Sequence, residues 1–288
     1  MQASDVVSAE RAAMEVASGL GLAVADASVL HNSNKLAWRL LPCDVVARVA
    51  FAGFENFEAE LAIGQRLAGV EGPLASLERR AEPRLYERDG FVVTLWTYYE
   101  QVRQEVSPAD YAKALGRLHA GMAKVDATAP HFSERVAEAQ QLVASPKRTP
   151  GLEDADRKLL SSTLRSQRRA IGERLSAEQL LHGEPHSGNL LNTKSGPLFI
   201  DLETCCRGPV EFDLAHVPEE VSECYAGADQ ELLRACRLLV LAMVAAWRWD
   251  HGDQLPNGKR AGRELLGALR AGPPWPALNV VMNQAGVP

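Results

Sequence analysis

The chain has 288 residues, of which 46% are hydrophobic and 24% are charged, and its formal net charge is -6. These values are typical of a folded protein with one large domain or two modest ones, and they exclude a disordered chain. The negative charge argues against a protein that binds duplex nucleic acid, because such proteins usually carry a basic surface. We interpret the basic residues of 157–174 as a solvated helix face, and we expect no nucleic-acid partner.

The same composition predicts the compartment. Residues 1–20 contain acidic side chains and no continuous apolar core, so they do not resemble a signal peptide. The most apolar segment, 238–247, is about half the length that spans a bilayer, and we interpret it as a buried helix. Five cysteines without a regular spacing predict no disulfide framework. These features predict a cytoplasmic protein with no membrane partner, and they predict no particular oligomeric state.

The first third of the chain predicts a helix followed by a small β-rich region. Apolar residues at helical spacing predict helices over 5–20 and 55–69. Short β-prone runs between Ala23 and Ala50 predict three antiparallel strands. Two further strands are expected around 83–88 and 91–96.

After residue 96 the pattern becomes helical, with one β interruption at 181–203. Helices are expected over 109–122, 133–144, 153–174, 211–224, 228–250 and 259–270. We therefore predict an α+β fold with an N-terminal lobe, residues 1–96, and a larger helical C-terminal lobe, residues 97–288.

Two polar residues flank a predicted hairpin inside the β interruption. Apolar runs at 190–191 and 198–200 enclose the turn sequence 192–197. Asn189 and Asp201 are each six residues from Ser195, the middle of that turn, so symmetric pairing of the arms places them opposite each other. Amide and carboxylate oxygens are ligands that suit Mg²⁺. The sequence therefore predicts a Mg²⁺ site made by Asn189 and Asp201.

Glu184 precedes this hairpin, in a loop that Pro185 and Gly188 keep from being helical. A carboxylate at this position can accept a proton from an attacking hydroxyl group. A base, a metal-binding Asn, a hairpin and a metal-binding Asp, in that order, supply the positioning and charge neutralisation that phosphoryl transfer needs.

A known family shares this arrangement. Residues 182–189, H-G-E-P-H-S-G-N, resemble the H-G-D-x-H-x-x-N catalytic loop of the aminoglycoside phosphotransferase family, which is related to the protein kinases. The segment 200–215 resembles that family's Ile-Asp, acidic residue and G-P-x-x-x-D-L-A pattern. Asp201 then matches the metal-binding Asp, and Asp213 matches a structural Asp that opens the next helix. The resemblance covers nearly the whole chain, but it is specific only over 181–215.

The resemblance implies a bilobal, protein-kinase-like fold and a particular reaction. The γ-phosphate of ATP or GTP would pass, with Mg²⁺, to a hydroxyl group of an aminoglycoside-like or other small acceptor, antibiotics included. Glu184 would be the catalytic base, and His182 would hold the loop. Glu184 replaces the family's Asp, and its extra methylene moves the carboxylate by roughly an ångström, a displacement that can cost about a hundredfold in rate.

By the same resemblance, the N-terminal lobe binds the nucleotide. Arg48 takes the place of the strand Lys that holds the phosphates, and Glu60 takes the place of its helix partner. Arg can grip phosphate bidentately, although it is not equivalent to Lys. The turn 31–35 takes the place of the loop over the phosphates, without its glycines. Residues 94–97 would form the hinge, where the backbone of Leu95 and Thr97 binds adenine.

Two other classes of function remain open at the level of sequence. Glu184, Arg48 and the missing glycine loop also fit a pseudokinase-like module that binds nucleotide without turnover. His182, Glu184 and His186 also suggest a zinc hydrolase, but their spacing is H-x-E-x-H, and Pro185 argues against the helix that this class of enzyme uses.

An acidic segment bears on the charge of the acceptor. Between Gly208 and Leu233 the chain has seven acidic residues and no Lys or Arg. These side chains would attract a cationic acceptor such as an amino sugar, or they would form a solvated helix face, which we favour.

We interpret His119 as a core histidine, because it lies on an apolar helix. Adjacent Cys205 and Cys206 are assigned packing roles, because neighbouring cysteines rarely chelate one ion well.

Overall fold

The computed structural model describes residues 3–32, 35–53 and 56–287, and the chain divides into two compact units. The first unit contains Met1–Gln104 and Leu191–Glu203, and the second contains Glu105–Leu190 and Thr204–Pro288. The division therefore differs from the predicted lobes 1–96 and 97–288. Its first boundary is eight residues later, after 104 instead of 96, and the segment 191–203 joins the first unit.

The helices and strands follow the predicted order. The first unit begins with α1 (Ala3–Gly19), β1 (Val24–Asn32), β2 (Leu36–Pro42), β3 (Val45–Phe51), α2 (Asn56–Leu67), β4 (Tyr86–Arg88) and β5 (Phe91–Thr97). There follow α3 (Pro108–Met122), α4 (Phe132–Ala144), α5 (Asp154–Arg174), β6 (Gln179–Leu181), β7 (Leu190–Thr193), β8 (Gly196–Phe199) and β9 (Cys206–Gly208). The last elements are α6 (Val210–Leu214), α7 (Glu219–Cys224), α8 (Gln230–Trp249), α9 (Gly258–Ala271) and α10 (Leu278–Gln284).

The first unit is built on a five-stranded antiparallel sheet in the order β1-β2-β3-β5-β4. In β3, Val45, Ala47 and Val49 are buried, whereas Arg48 lies on the opposite face because strand side chains alternate. The buried face packs with alanines of α1, from Ala9 to Ala17. The three strands predicted within 23–50 are confirmed, and the alternation fixes the direction of Arg48.

The helix predicted over 55–69 from its apolar spacing is also confirmed, as α2. Phe57, Leu61, Ile63 and Leu67 are all buried, as the helical spacing predicts. Glu60 is buried on the same helix with no exposed surface, which its charge alone does not predict. A fully buried carboxylate needs partners, and they lie in this unit.

The hairpin of β7 and β8 explains why 191–203 joins the first unit. Phe199 exchanges backbone hydrogen bonds with the segment 73–75: its N–H donates to Pro73 O at 2.8 Å, and its carbonyl accepts from Ala75 N at 2.9 Å. Val102 N donates to Asn192 O at 2.8 Å. These bonds tie both arms of the hairpin to backbone that precedes residue 105.

The second unit is helical, and α8 contributes the longest continuous run of buried residues to its core. Every residue from Leu238 to Ala246 is buried, which confirms the interpretation of 238–247 as a core helix. Within residues 3–32, 35–53 and 56–287, no helix is both long and apolar enough to cross a membrane.

Three features of the second unit differ from the prediction. The helix expected over 211–224 is two helices, α6 and α7, because Pro218 lies at the N-cap of α7 in an extended conformation and cannot continue α6. The short strands β6 and β9 pair antiparallel, with Leu181 opposite Cys206, and they frame the catalytic-loop segment. The helix α10 has no counterpart in the prediction, because its seven residues are too few to show a clear period.

Candidate active site

Arg48 and Glu60 form an ion pair within the first unit, as the resemblance predicts. Arg48 is presented by β3, where it lies opposite Thr94 of β5, and its Nη1 donates to Oε1 of Glu60 on α2. The side chain of Glu60 is 1% exposed and that of Arg48 is 11% exposed. Leu202 N donates to the same Glu60 Oε1 at 3.1 Å. Glu60 therefore connects the strand arginine to the residue that follows Asp201.

Asp201 joins this pair through Arg48, and two further charged residues complete the group. Arg48 Nη2 lies 3.2 Å from Asp201 Oδ1 and 2.8 Å from Glu203 Oε1. Lys35 Nζ lies 2.9 Å from Asp201 Oδ2 and 2.6 Å from Glu203 Oε1. We call these five residues the Asp201 cluster. Sequence reasoning missed Lys35 and Glu203, although Glu203 is the acidic residue of the motif that follows Ile-Asp.

Burial and charge act together on the cluster. Burial raises the pKa of Glu60 to about 7, with the carboxylates of Asp201 and Glu203 adding to the rise and Arg48 and Lys35 opposing it. Burial disfavours the charged form of Arg48, but the three carboxylates outweigh it and raise the pKa of that guanidinium. The cluster therefore keeps its arginine charged.

Asp201 has a left-handed backbone conformation, with φ at 69°. Few residues other than glycine adopt this conformation, and Asp tolerates it better than most. Such conformations are maintained by the surrounding structure and are common at functional sites. The backbone thus turns directly after β8 and carries the Asp201 carboxylate to the two cations.

The loop after β6, in the second unit, is organised by the buried carboxylate of Asp213. It accepts from His182 N at 2.9 Å and from Gly183 N at 2.8 Å. His119 Nε2 lies 3.0 Å from the same carboxylate, and its Nδ1 lies 2.8 Å from the hydroxyl of Tyr225. The assignment of His119 as a satisfied core histidine is confirmed. His182 is itself fully buried, so it belongs to the part of the loop that maintains the structure.

The electrostatics of Asp213 follow from these bonds. Burial opposes ionisation, but the hydrogen bond and charge of His119, the charge of His182 and the Gly183 N–H hold the pKa of Asp213 below its usual value. The carboxylate is therefore ionised where it binds the loop.

Glycine is required at position 183. Its φ is +90°, and a Cβ atom there would lie 1.9 Å from the carbonyl oxygen of Thr204. The hydroxyl of Thr204 in turn donates to His182 O at 3.2 Å. The backbone of the loop at Gly183 therefore packs directly against the backbone of Thr204, with no room for a side chain between them.

Glu184 is held by an arginine that sequence reasoning did not identify. Arg135 on α4 donates from Nη2 to Glu184 Oε1 and from Nη1 to Gly183 O at 3.3 Å. Its guanidinium carbon lies 5.1 Å from the ring centre of Trp247 on α8. Helical spacing alone places Arg135 on a partly buried face, but nothing in the sequence connects α4 with residue 184.

Arg135 determines the ionisation of Glu184. Burial would raise the pKa of this carboxyl, but the charge and hydrogen bond of Arg135 hold it below its usual value. His216 is buried, which lowers its pKa to about 4 and makes it neutral at physiological pH. The side chain of Glu184 is a quarter exposed, at 25%, so its carboxylate is charged and reachable.

Asn189 is oriented within the same loop. Its Nδ2 donates to Glu184 O at 3.0 Å, and its backbone N–H donates to His186 O at 2.9 Å. It ends a single 3₁₀ turn, Ser187–Asn189, immediately before β7. With the amide nitrogen engaged in the loop, the oxygen is the atom that can bind a metal ion.

The simple hairpin symmetry used in the prediction does not hold. The strand β7 ends at Thr193 and the strand β8 begins at Gly196, so the turn consists of residues 194 and 195. Its centre lies half a residue before Ser195, and Asn189 belongs to the 3₁₀ turn and not to the strand. The assignment of Asn189 and Asp201 to one metal stays a prediction based on the resemblance.

The predicted hinge residues, Leu95 and Thr97, are the last part of β5. Leu95 O accepts from Glu78 N at 3.0 Å, and Thr97 N donates to Ser76 O at 2.9 Å. A carbonyl has a second lone pair, whereas an N–H has one proton to give. Leu95 O can therefore accept from a bound base without losing its partner, but Thr97 N cannot donate to one.

No group of three or more His, Cys, Asp or Glu side chains that could hold a metal ion by itself occurs in the described part of the chain. His182 and Glu184 have the separate structural partners given above. A carboxylate such as that of Asp201 and an amide oxygen such as that of Asn189 suit Mg²⁺, which completes its shell with water and phosphate. Cys205 and Cys206 are both buried, in keeping with packing roles.

A family model described as "Phosphotransferase enzyme family" matches residues 32–235, well over half of the chain. The chain belongs to the phosphotransferase enzyme family. Membership confirms the enzyme class expected from the catalytic loop, a phosphotransferase that acts on the alcohol groups of small molecules. No curated protein matches the chain.

Solved structures of other phosphotransferases share the fold. The amicoumacin kinase hAmiN, in complex with AMP-PNP, Ca²⁺ and Ami, has 9% identity and a TM-score of 0.72, over 96% of this chain and 98% of that one. A choline/ethanolamine kinase family protein from Mesorhizobium loti has 16% identity and a TM-score of 0.67, over 98% and 99%. The spectinomycin phosphotransferase APH(9)-Ia, in complex with ADP and spectinomycin, has 13% identity and a TM-score of 0.62, over 98% of both chains. At these identities the similarity shows the protein-kinase-like fold alone, as expected from the sequence.

Replacing Gly183 with Ala should destabilise this phosphotransferase by at least about 2 kcal/mol. The substitution combines an unfavourable positive φ with a collision between Cβ and the Thr204 carbonyl. Urea unfolding measures the loss. Gly227→Ala is the matched control, because Gly227 has a φ of +84° in the same unit and open space at its Cβ position. Equal losses in the two variants would contradict the close-approach argument.

Asp213→Asn should destabilise the protein by about 2–3 kcal/mol at pH 7, because an amide cannot replace a buried charged acceptor of three donors. The folded pKa of Asp213 is depressed, so its contribution is present above the unfolded value of about 3.9 and is lost as pH falls through the folded value. The difference in unfolding free energy between wild type and variant should therefore narrow below about pH 4. Asp126→Asn, at an exposed position, is the control, and a difference that stays constant with pH would exclude this role.

Proposed function

We propose that this phosphotransferase moves the γ-phosphate of ATP, or GTP, to a hydroxyl group of a small molecule with the help of Mg²⁺. The observation that carries the proposal is the Asp201 cluster. In it, a carboxylate suited to Mg²⁺ lies within hydrogen-bonding distance of Arg48 and Lys35, the two cations suited to phosphate.

The predicted site residues have defined parts in this chemistry. Arg48 is anchored by Glu60, which leaves its guanidinium fork directed toward Asp201 and Glu203. The family resemblance implies that Asp201 and the side-chain oxygen of Asn189 are metal ligands. Bound Mg²⁺ would neutralise charge on the transferring phosphate.

Glu184 is the proposed catalytic base. Arg135 occupies Oε1, and the described residues provide no hydrogen-bond donor to Oε2. Oε2 is therefore the atom that would accept the hydrogen bond, and then the proton, of the attacking hydroxyl. Because the pKa of this carboxyl is below its usual value, it is a weak base that mainly orients the nucleophile, as phosphoryl transfer requires.

His182 supports the loop and does not take part in proton transfer in this proposal. The residue is fully buried, its backbone N–H donates to the carboxylate of Asp213, and its backbone carbonyl accepts from the hydroxyl of Thr204. Leu95, through its carbonyl, is the better of the two predicted hinge contacts for the base of the nucleotide. Thr97 would have to give up its bond to Ser76.

The acidic segment of the second unit does not favour a cationic acceptor. Glu211 and Asp213 are buried, and Asp229 caps the N-terminus of α8. Glu219 pairs with Arg237 and Glu231 pairs with Arg174. Most of its carboxylates therefore have structural partners, so we propose a small hydroxylated acceptor without requiring that it be cationic.

The decisive test is transfer itself, measured as acceptor-dependent ADP release over a panel of aminoglycosides, spectinomycin, amino sugars, choline and homoserine. For any acceptor turned over, Asp201→Asn should lower kcat/KM by at least about a hundredfold. Glu184→Gln should lower kcat by about 10² to 10⁴-fold, the range for removing a general base, with nucleotide binding kept.

The control for these variants is Glu223→Gln, which changes an exposed carboxylate and should leave the rate unchanged. Full activity in Asp201→Asn would refute the metal assignment. Nucleotide binding without turnover of any acceptor would favour the pseudokinase-like module.

A further inference from the structure

Lys35 is placed where a metal ion would otherwise bind. It directly precedes β2, and its side chain is only 14% exposed. Its ammonium group lies 2.9 Å from Asp201 Oδ2 and 2.6 Å from Glu203 Oε1. These are the distances of charge-assisted hydrogen bonds, so Lys35 contacts the carboxylate to which the metal ion is assigned.

Both oxygens of Asp201 have a cationic partner. Lys35 contacts Oδ2, and Arg48 Nη2 lies 3.2 Å from Oδ1. The same Glu203 oxygen, Oε1, contacts both cations. A divalent ion at Asp201 must therefore displace at least one of these contacts or share a carboxylate oxygen with a like charge.

Lys35 is the cation better suited to move. Arg48 is also anchored by the fully buried Glu60 on α2, and its guanidinium is rigid and planar. Lys35 carries a compact charge on a flexible four-carbon stem. The lysine can move by a few ångströms and leave the ion pair of Arg48 with Glu60 on α2 intact.

The formal charges give the direction of the exchange. Lys35 and Arg48 contribute +2, Asp201 and Glu203 contribute -2, and Glu60 contributes -1 when it is ionised, so the net charge of the cluster lies between 0 and -1. A divalent ion alone would meet two cations and make the cluster positive. Nucleotide phosphates bring several negative charges, which attract both Lys35 and Arg48 and leave the carboxylates to the metal.

We propose that Lys35 is an exchangeable cation that holds Asp201 and Glu203 in the free protein and moves to the phosphates when nucleotide binds. Nucleotide and metal ion then bind with positive coupling, each raising the affinity for the other. The inference rests on the proposed function, because it concerns the same site. It adds a phosphate-binding residue and an order of binding in which the metal ion alone binds poorly.

The proposal is tested by binding measurements that need no acceptor. Electron paramagnetic resonance reports free Mn²⁺, and calorimetry in EDTA reports binding of ATP without metal. Lys35→Met should bind Mn²⁺ alone at least tenfold more tightly than wild type, because a competing cation is gone. The same variant should bind metal-free ATP at least tenfold more weakly, because a phosphate ligand is gone.

Three further variants make the result specific. Lys35→Arg keeps the competing charge and should not show the gain in Mn²⁺ affinity expected for Lys35→Met. Lys194→Met, which removes an exposed lysine paired with Glu100 in the same unit, should change neither. Asp201→Asn in the Lys35→Met background should abolish the gain in Mn²⁺ affinity, which localises it to the cluster.

Opposite changes in the two affinities establish the exchange. Unchanged Mn²⁺ affinity in Lys35→Met, or a loss of affinity for both ligands, would overturn it, because Lys35 would then not compete with the metal ion. Failure of the proposed function has a different signature, since wild type would bind no nucleotide even with Mn²⁺. In that case a tighter Mn²⁺ site in Lys35→Met would still support the competition between lysine and metal.

Discussion

The buried carboxylate of Asp213 is the interaction on which the rest of the catalytic loop depends. It binds the backbone N–H groups of His182 and Gly183 and the ring of His119, so α3, β6 and α6 converge on one charge. An unpaired buried carboxylate is very costly, and these three donors offset that cost. The loop conformation that carries Glu184 is therefore fixed by groups that do not themselves react, and a rigid support of this kind is what a positioned base requires.

Carboxylates in both units are paired with cations, and this is the common electrostatic theme of the molecule. Arg135 holds Glu184, while Lys35 and Arg48 hold Asp201. Such pairing keeps acidic groups ionised in partly buried places, where burial would otherwise protonate them. It also applies to Glu184, whose side chain is one methylene longer than the Asp of the catalytic loop that this segment resembles. The longer side chain has an arginine at one oxygen, which limits the freedom that an extra methylene adds.

The sequence predicted the elements well where the pattern is long and periodic, as in α5 and α8, and the pairing of Arg48 with Glu60 followed from the family resemblance. It could not predict the contact of Arg135 with Glu184 or of Lys35 with Asp201. Both join residues far apart in the chain, and a charged residue on a helix or beside a turn is usually solvated. The hairpin symmetry failed for a local reason, since a two-residue turn and a 3₁₀ turn shift the register. The number of residues between Asn189, Ser195 and Asp201 is known from the sequence, but the positions of their side chains depend on the turns that lie between them.

The central claim is that the chain binds nucleotide together with a divalent ion, and thermal melting tests it most directly. Wild type is melted with ATP, GTP or neither, each with and without Mg²⁺. A ligand at a hundred times its dissociation constant adds about 2.7 kcal/mol of stability, which in a protein of this size raises Tm by several degrees. We expect a rise of that size only when nucleotide and Mg²⁺ are both present. No rise at millimolar nucleotide with Mg²⁺ would contradict the account.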